Sequence, residues 1–276
     1  MALKPERLEA ELPRLSQFEL VDGYVKGRVS IVMPAYNEGE HICNAVAEMK
    51  KQFSAICEDL EVIVVDDGSV DGMRKLIEFE SRRMEGVKLI GYDRNEGKGF
   101  AIRKGFSHVT GEFTFLVDGD AEIMARDLVA YVEALQTADI VLGSKRHPLS
   151  IVRTPVLRRF LSLAFNVAER LLTGVKATDT QAGFKAMKSR VVYTVMPLIT
   201  AKRFAFDVEF LAIASLLGFK TTELPVSIDL KATVSVGRAS RMMIDLLGIA
   251  YRLRIRRWYQ NNINSMTDTY SPIIRW

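Results

Sequence analysis

The sequence predicts an α/β fold with a mostly parallel central sheet, helices on both of its faces and amphipathic helices toward the C-terminus. Three observations lead there. Short apolar runs rich in β-branched residues recur at Val29–Met33, Glu61–Val65, Val87–Ile90, Phe113–Val117 and Asp139–Leu142. Helical periodicities fill the intervals at about 38–54, 71–84, 98–109 and 125–136, and this alternation marks a sheet covered on both sides. Polar and acidic clusters follow the strands at their carboxyl ends, where sheets of this kind bind ligands.

After Ser144 the pattern changes. A helix is predicted over 155–172, a loop and strand over 178–187, helices near 189–197 and 205–217, a strand over 220–228 and a basic amphipathic helix over 238–258. In the first of these helices Arg158, Ser162 and Asn166 recur every four residues as a narrow polar stripe on an otherwise apolar surface.

A length of 276 residues suits one large domain or a domain with an appendage. With 48% apolar and 26% charged residues the chain is neither disordered nor collagen-like. A net charge of +4 does not call for nucleic acid, but its distribution is uneven. Residues 144–159 carry five basic side chains and no acid, and residues 238–258 carry six arginines against the single Asp245. Two basic, apolar-rich segments, 155–172 and 238–258, suit peripheral contact with an anionic membrane surface. No uncharged apolar run reaches the ~18 residues that span a bilayer, and the stretch from Lys4 to Glu11 is too charged for a signal peptide. The expected location is cytoplasmic, peripheral on the cytoplasmic face of a membrane. Cys43 and Cys57 lack metal spacing and are expected as reduced thiols. His41, His108 and His147 lack ligand spacing as well.

Four clusters carry chemistry. In the first, Pro34 ends a buried strand; Tyr36 can stack on a base, while Asn37 and Glu38 can bond ribose hydroxyls. In the second, Asp66 and Asp67 stand at a strand end before Gly68 and Ser69, and Asp66 can accept the ring N–H of uracil or of guanine. In the third, Gly97 and Gly99 bracket Lys98 at a helix N-terminus, a natural place for phosphate. Ile102 stands where a dinucleotide fingerprint needs its third glycine, which argues against a dehydrogenase. In the fourth, Asp118 and Asp120 flank Gly119 with Glu122 just beyond. That spacing lets oxygen ligands converge on Mg²⁺ or Mn²⁺.

In order and wording, Val32-Met-Pro-Ala-Tyr-Asn-Glu38, Val64-Val-Asp-Asp-Gly-Ser69, Asn95-Glu-Gly-Lys-Gly99 and Asp118-Gly-Asp120 resemble glycosyltransferase family 2. The resemblance implies a GT-A fold in which Pro34, Ala35, Tyr36, Glu38, Asp66 and Lys98 hold a nucleotide sugar, with Asp67 beside them. It also implies a metal on Asp118, Asp120 and Glu122. Gly143-Ser-Lys-Arg146, Asp179-Thr-Gln-Ala-Gly-Phe-Lys185 and Arg203-Phe-Ala-Phe-Asp-Val-Glu209 look like dolichyl-phosphate glucosyltransferases and related polyprenyl-phosphate hexosyltransferases. Lys145 stands where that pattern has arginine, Ala182 where it has cysteine, and the eukaryotic N-terminal anchor is not matched. The implied organisation is an N-terminal helical extension over 1–27, a catalytic domain over 28–235 and a basic amphipathic segment over 236–276. Within the domain, 28–145 is the nucleotide-sugar half and 146–235 the acceptor half.

The reaction expected is a single inverting displacement by a polyprenyl or dolichyl phosphate on UDP-glucose or GDP-mannose, with glucose from UDP-glucose favoured by the resemblance to the glucosyltransferases. Lys145, Arg146, Arg158 or Arg203 positions the acceptor phosphate, and Ser144, Ser162, Asp179 and Gln181 frame it. For a sugar-hydroxyl acceptor, Asp207 or Glu209 is the candidate base. The alternatives are a family 2 enzyme with a soluble acceptor or growing glycan, and a non-catalytic nucleotide-sugar-binding module.

Overall fold

The computed structural model describes residues 19–21, 23–118, 125–153, 156–203, 205–229 and 236–270. The first half runs β1 (Glu19–Val21), β2 (Tyr24–Ala35), α1 (His41–Phe53), β3 (Cys57–Asp66), α2 (Met73–Ser81), β4 (Val87–Gly91), α3 (Lys98–Phe106), β5 (Phe113–Val117), α4 (Ala125–Ala134) and β6 (Ile140–Ser144). The second half adds β7 (Ile151–Arg153), α5 (Val156–Thr173), β8 (Phe184–Lys188), α6 (Ser189–Val195), α7 (Phe206–Leu216), β9 (Thr221–Pro225), β10 (Ser227–Asp229), α8 (Val236–Ala250) and α9 (Trp258–Tyr270).

The main sheet has the order β4-β3-β2-β5-β8-β6-β9, with β1 added beside β2. Along the path every pairing is parallel except those of β8, which runs antiparallel between β5 and β6. Alternation along each strand divides the core in two. Ile31, Met33, Val62, Val64, Phe113 and Phe115 face α1, α2 and α4. Val32, Ile63, Val65, Leu116, Ile140 and Leu142 face α3, α6 and α7. Side chains on successive strand residues point to opposite faces, so a run apolar at every position demands helices on both sides. The expected mostly parallel sheet with two helical layers is what the chain forms.

Register then sets the site. Ala35 lies beside Asp66, and Val117 lies opposite Phe184. The carboxyl ends of β2, β3 and β5 thus share one edge with the start of β8.

The C-terminal part differs from the single helix expected over 238–258. After α8 the chain makes a π-helical turn at Tyr251–Ile255, and Arg257 takes a left-handed φ of 48° before α9 begins. The break returns Tyr259 to the core, where it is fully buried and its hydroxyl donates to Glu209. Arg252 from the π turn reaches the same carboxylate at 3.4 Å. At the other end, the described part of the expected helical extension is a hairpin, with Glu19 opposite Lys26 and Val21 opposite Tyr24. A small parallel ribbon of β7 and β10, too short to read from periodicity, stands apart from the main sheet. Cys43 and Cys57 are free thiols.

Candidate active site

The loop after β2 and the loop after β3 are zipped together by reciprocal bonds. Asn37 holds a left-handed φ of 55°, its N–H donates to Ser69 Oγ at 2.9 Å, and its Oδ1 accepts from the Val70 N–H at 2.9 Å. The Gly39 N–H donates to Asp71 Oδ2 at 2.8 Å. Tyr36, next to Ala35 at the strand end, is 44% exposed and open to stacking, and Glu38 is half-buried.

The adjacent carboxylates divide their work. Asp66 is wholly buried and accepts from the Ser69 N–H at 2.9 Å and from Arg74 Nε at 2.5 Å. Each oxygen has one donor, so each keeps capacity for a second. Asp67, expected beside the nucleotide contacts, is bonded to the Tyr92–Gly97 segment. It accepts from the Tyr92 hydroxyl at 2.7 Å, Asn95 Nδ2 at 3.0 Å and the Glu96 N–H at 2.8 Å, with the Gly97 N–H at 3.0 Å. Asp67 therefore shapes the loop that delivers Lys98. Arg74, eight residues beyond Asp66, escaped the sequence reading because it lies on the next helix and gives no motif.

Lys98 opens α3 and its ammonium sits 2.6 Å from Asp118 Oδ2. Behind it, α3 abuts the 200–203 segment: the Phe100 N–H donates to the Lys202 carbonyl at 2.9 Å, and a Cβ on Gly99 would lie 2.7 Å from the Arg203 carbonyl. Glu209 fixes that segment by accepting from the Thr200 and Ala201 N–H groups at 2.9 and 2.6 Å. Arg203 itself is exposed, with no ion pair among the described residues.

Asp118 has two different oxygens. Its backbone N–H donates to the Gly183 carbonyl at 2.9 Å, and a Cβ on Gly183 would meet Oδ2 at 2.9 Å, so a larger residue there would displace the Asp118 carboxylate. Oδ1 is buried without a hydrogen-bond partner among the described residues. An orphaned carboxylate oxygen calls for a partner, and a hard divalent cation suits it. Asp120 and Glu122, the other expected ligands, lie outside the described residues. Among the described residues no group of three metal-ligating side chains occurs.

The second half of the site is a clasp between the turn after β6 and the 178–182 loop. Ser144 Oγ meets Thr178 Oγ1 at 3.0 Å, and the Lys145 N–H donates to Asp179 Oδ2 at 2.9 Å. Lys145 Nζ lies 3.2 Å from the same carboxylate and donates to the Gln181 carbonyl at 3.1 Å. Glu223 on β9 takes the Thr178 N–H and hydroxyl, both at 2.6 Å. From the other side, α5 supplies Asn166, whose Nδ2 donates to the Thr178 carbonyl at 2.8 Å, and Glu169, which accepts from the Thr180 hydroxyl at 2.8 Å. The polar stripe read from the sequence thus ends in a loop anchor. Glu169 and Glu223 were missed, since a lone glutamate on a helix or strand reads as solvated. The side chains of Arg158 and Ser162 are outside the described residues.

Asp207 does not face this clasp openly. It is 4% exposed and paired with Lys185, itself 2% exposed, at 2.8 Å. Lys185 also donates to the Ala182 carbonyl. The pair ties α7 to β8 as framework.

Residues 30–195 match the family described as Glycosyl transferase family 2. A dolichyl-phosphate beta-glucosyltransferase, ALG5A, of Trichomonas vaginalis is 30% identical over 246 residues, 83% of this chain and 75% of that protein. A dolichyl-phosphate beta-glucosyltransferase of Dictyostelium discoideum is 26% identical, over 83% of this chain and 76% of that protein. Among solved structures, the glucosyl-3-phosphoglycerate synthase of Mycobacterium tuberculosis with Mn²⁺, UDP and glucosyl-3-phosphoglycerate superposes with a TM-score of 0.60. It is 17% identical and the match covers 82% of this chain and 79% of that one, which supports a shared GT-A fold.

Proposed function

Because this chain belongs to glycosyl transferase family 2, we propose that it transfers a hexose, with inversion, from a nucleotide sugar to dolichyl or another polyprenyl phosphate. Glucose from UDP-glucose is the preferred donor, since the relatives compared above are named for glucosyl transfer to dolichyl phosphate.

Helix α5 carries this reading. Its inner residues Asn166 and Glu169 hold the 178–182 loop, taken here as the acceptor loop, while its outer residues Val167 and Leu171 are exposed. Ile244, Leu247, Tyr251 and Ile255 extend the exposed apolar set along α8 and the π turn. The two parts touch where Arg254 donates to the Leu171 carbonyl at 2.6 Å. Arg241, Arg254, Arg256 and Arg257 are exposed alongside. Apolar side chains with an arginine fringe suit the headgroup region of a bilayer. No helix among the described residues is long and apolar enough to cross a membrane. The enzyme works as a peripheral protein on the cytoplasmic face, with the acceptor loop directly behind its lipid-facing helix.

In the reaction an oxygen of the acceptor phosphate bonds to the anomeric carbon as the bond to the donor diphosphate breaks, and the electron pair leaves with the diphosphate. A phosphate monoester has a second pKa near ~6, so its attacking oxygen is already deprotonated at neutral pH and needs orientation more than a base. Lys145, held by Asp179 and Gln181, and Arg146 beside it supply that orientation, with Arg158 and Arg203 as further cations. Tyr36 and Asp66 take the base, and Lys98 faces the diphosphate. Asp118, with Asp120 and Glu122, would hold Mg²⁺ or Mn²⁺, whose charge neutralises the departing diphosphate.

The test supplies the protein with labelled UDP-glucose or GDP-mannose, Mn²⁺ or Mg²⁺, and dolichyl phosphate in vesicles. Label should enter the organic phase from UDP-glucose. Release of nucleoside diphosphate only with a soluble phosphorylated or glycan acceptor would remove the lipid acceptor.

A further inference from the structure

Glu169 is a buried titratable group beside the 178–182 loop that this mechanism leaves unused. It is 1% exposed, its Oε2 accepts from the Thr180 hydroxyl at 2.8 Å, and its Oε1 accepts from Gln181 Nε2 at 3.3 Å. Both partners belong to the loop that holds Lys145 through Asp179 and the Gln181 carbonyl. We propose that Glu169 is a positioning residue for the acceptor, taking a proton from solvent when an anionic phosphate settles against Lys145 and Arg146 and returning it when product leaves. This rests on the reading that the acceptor's phosphate binds there.

The electrostatics favour such coupling. Burial pushes the Glu169 carboxyl up to about 7; the Thr180 bond opposes this, Asp179 and Asp207 add to it, and Arg146 opposes it. Asp179 comes from the loop, Asp207 from α7 and Arg146 from the turn after β6. Glu223 on β9 binds the far side of the loop. From α8, which also packs on α5, the charged side chains within the described residues are Arg241 and Asp245. Of the lysines at and beside the clasp, Lys145 pairs with Asp179 and Lys185 with Asp207. A bound phosphate dianion draws on Arg146, the cation that steadies the Glu169 carboxylate, and adds charge of the same sign. The ionised form of Glu169 then becomes less favourable.

Linkage is reciprocal. If the phosphate favours protonated Glu169, protonated Glu169 favours the phosphate, so acceptor affinity falls as pH rises through about 7. Titration of the phosphate itself, near ~6, is about nine-tenths complete by pH 7 and acts in the opposite direction, so it cannot produce the rise.

The experiment measures KM for dolichyl phosphate in vesicles from pH 6.5 to 8.5, with KM for the nucleotide sugar as internal reference. In the wild type the acceptor KM should rise about three- to tenfold while the donor KM does not follow it. In Glu169→Gln, which keeps the shape and loses the titration, the acceptor KM should stay flat. Thr180→Val removes a bond that favours the carboxylate, and should move the rise to higher pH. A flat wild-type profile, or a rise retained in Glu169→Gln, overturns this proposal alone. Absence of transfer to dolichyl phosphate at every pH overturns it together with the lipid acceptor.

Discussion

Asp118→Asn is expected to lower kcat on the order of 10³-fold, the scale of removing a charge-stabilising group from a transition state. The substitution keeps volume and backbone bonding, including the N–H donated to the Gly183 carbonyl at 2.9 Å. It removes the charge that holds Lys98 at 2.6 Å and neutralises the orphaned Oδ1. Stability should change little, because the ion pair is partly solvated, with side chains 23% and 22% exposed, and such pairs contribute weakly to folding. The check is steady-state kinetics at saturating donor and divalent cation beside a thermal melt. Activity within tenfold of wild type, with an unchanged melt, would remove Asp118 from the chemistry.

The second large effect is on stability. Lys185→Met leaves the Asp207 carboxylate buried without its cation, and breaking such a pair from one side costs about 3–5 kcal/mol. For a domain of this size that corresponds to a fall in Tm of roughly 10 °C. Removing both charges in Lys185→Met/Asp207→Leu should recover most of the loss, since a well-packed apolar pair replaces a buried ion pair at little net cost. Denaturant unfolding of the two variants measures this. Equal destabilisation in both would mean that the pair's packing, not its charge, holds α7 to β8.

The two-faced sheet was legible because Val62, Ile63, Val64 and Val65 are all apolar, and only helices on both sides can bury such a run. The antiparallel insertion of β8 was not legible. Phe184–Lys188 has the same apolar character whichever way it runs, and direction is fixed by pairing with β5 and β6. The break at Tyr251–Ile255 was hidden for another reason. Arg252 reads as one more surface arginine, yet it turns inward toward Glu209.

At the site, chemistry was legible by residue type but not by direction. Asp66 and Asp67 are indistinguishable in sequence, and only the fold turns Asp67 onto the Asn95–Gly97 loop. Glu169 was invisible because nothing in an apolar helical pattern says that a glutamate points inward until the 178–182 loop is seen packed beneath it. Gly183 shows the converse: its need follows only from the closeness of Asp118.

The central claim, inverting transfer onto a lipid phosphate, is tested most directly by NMR of the purified lipid product made from UDP-α-D-glucose. The expected product is a β-linked glucosyl unit joined through a phosphodiester to the polyprenol. An α-linked product, or glucose found only on a hydroxyl of a soluble acceptor, would contradict it.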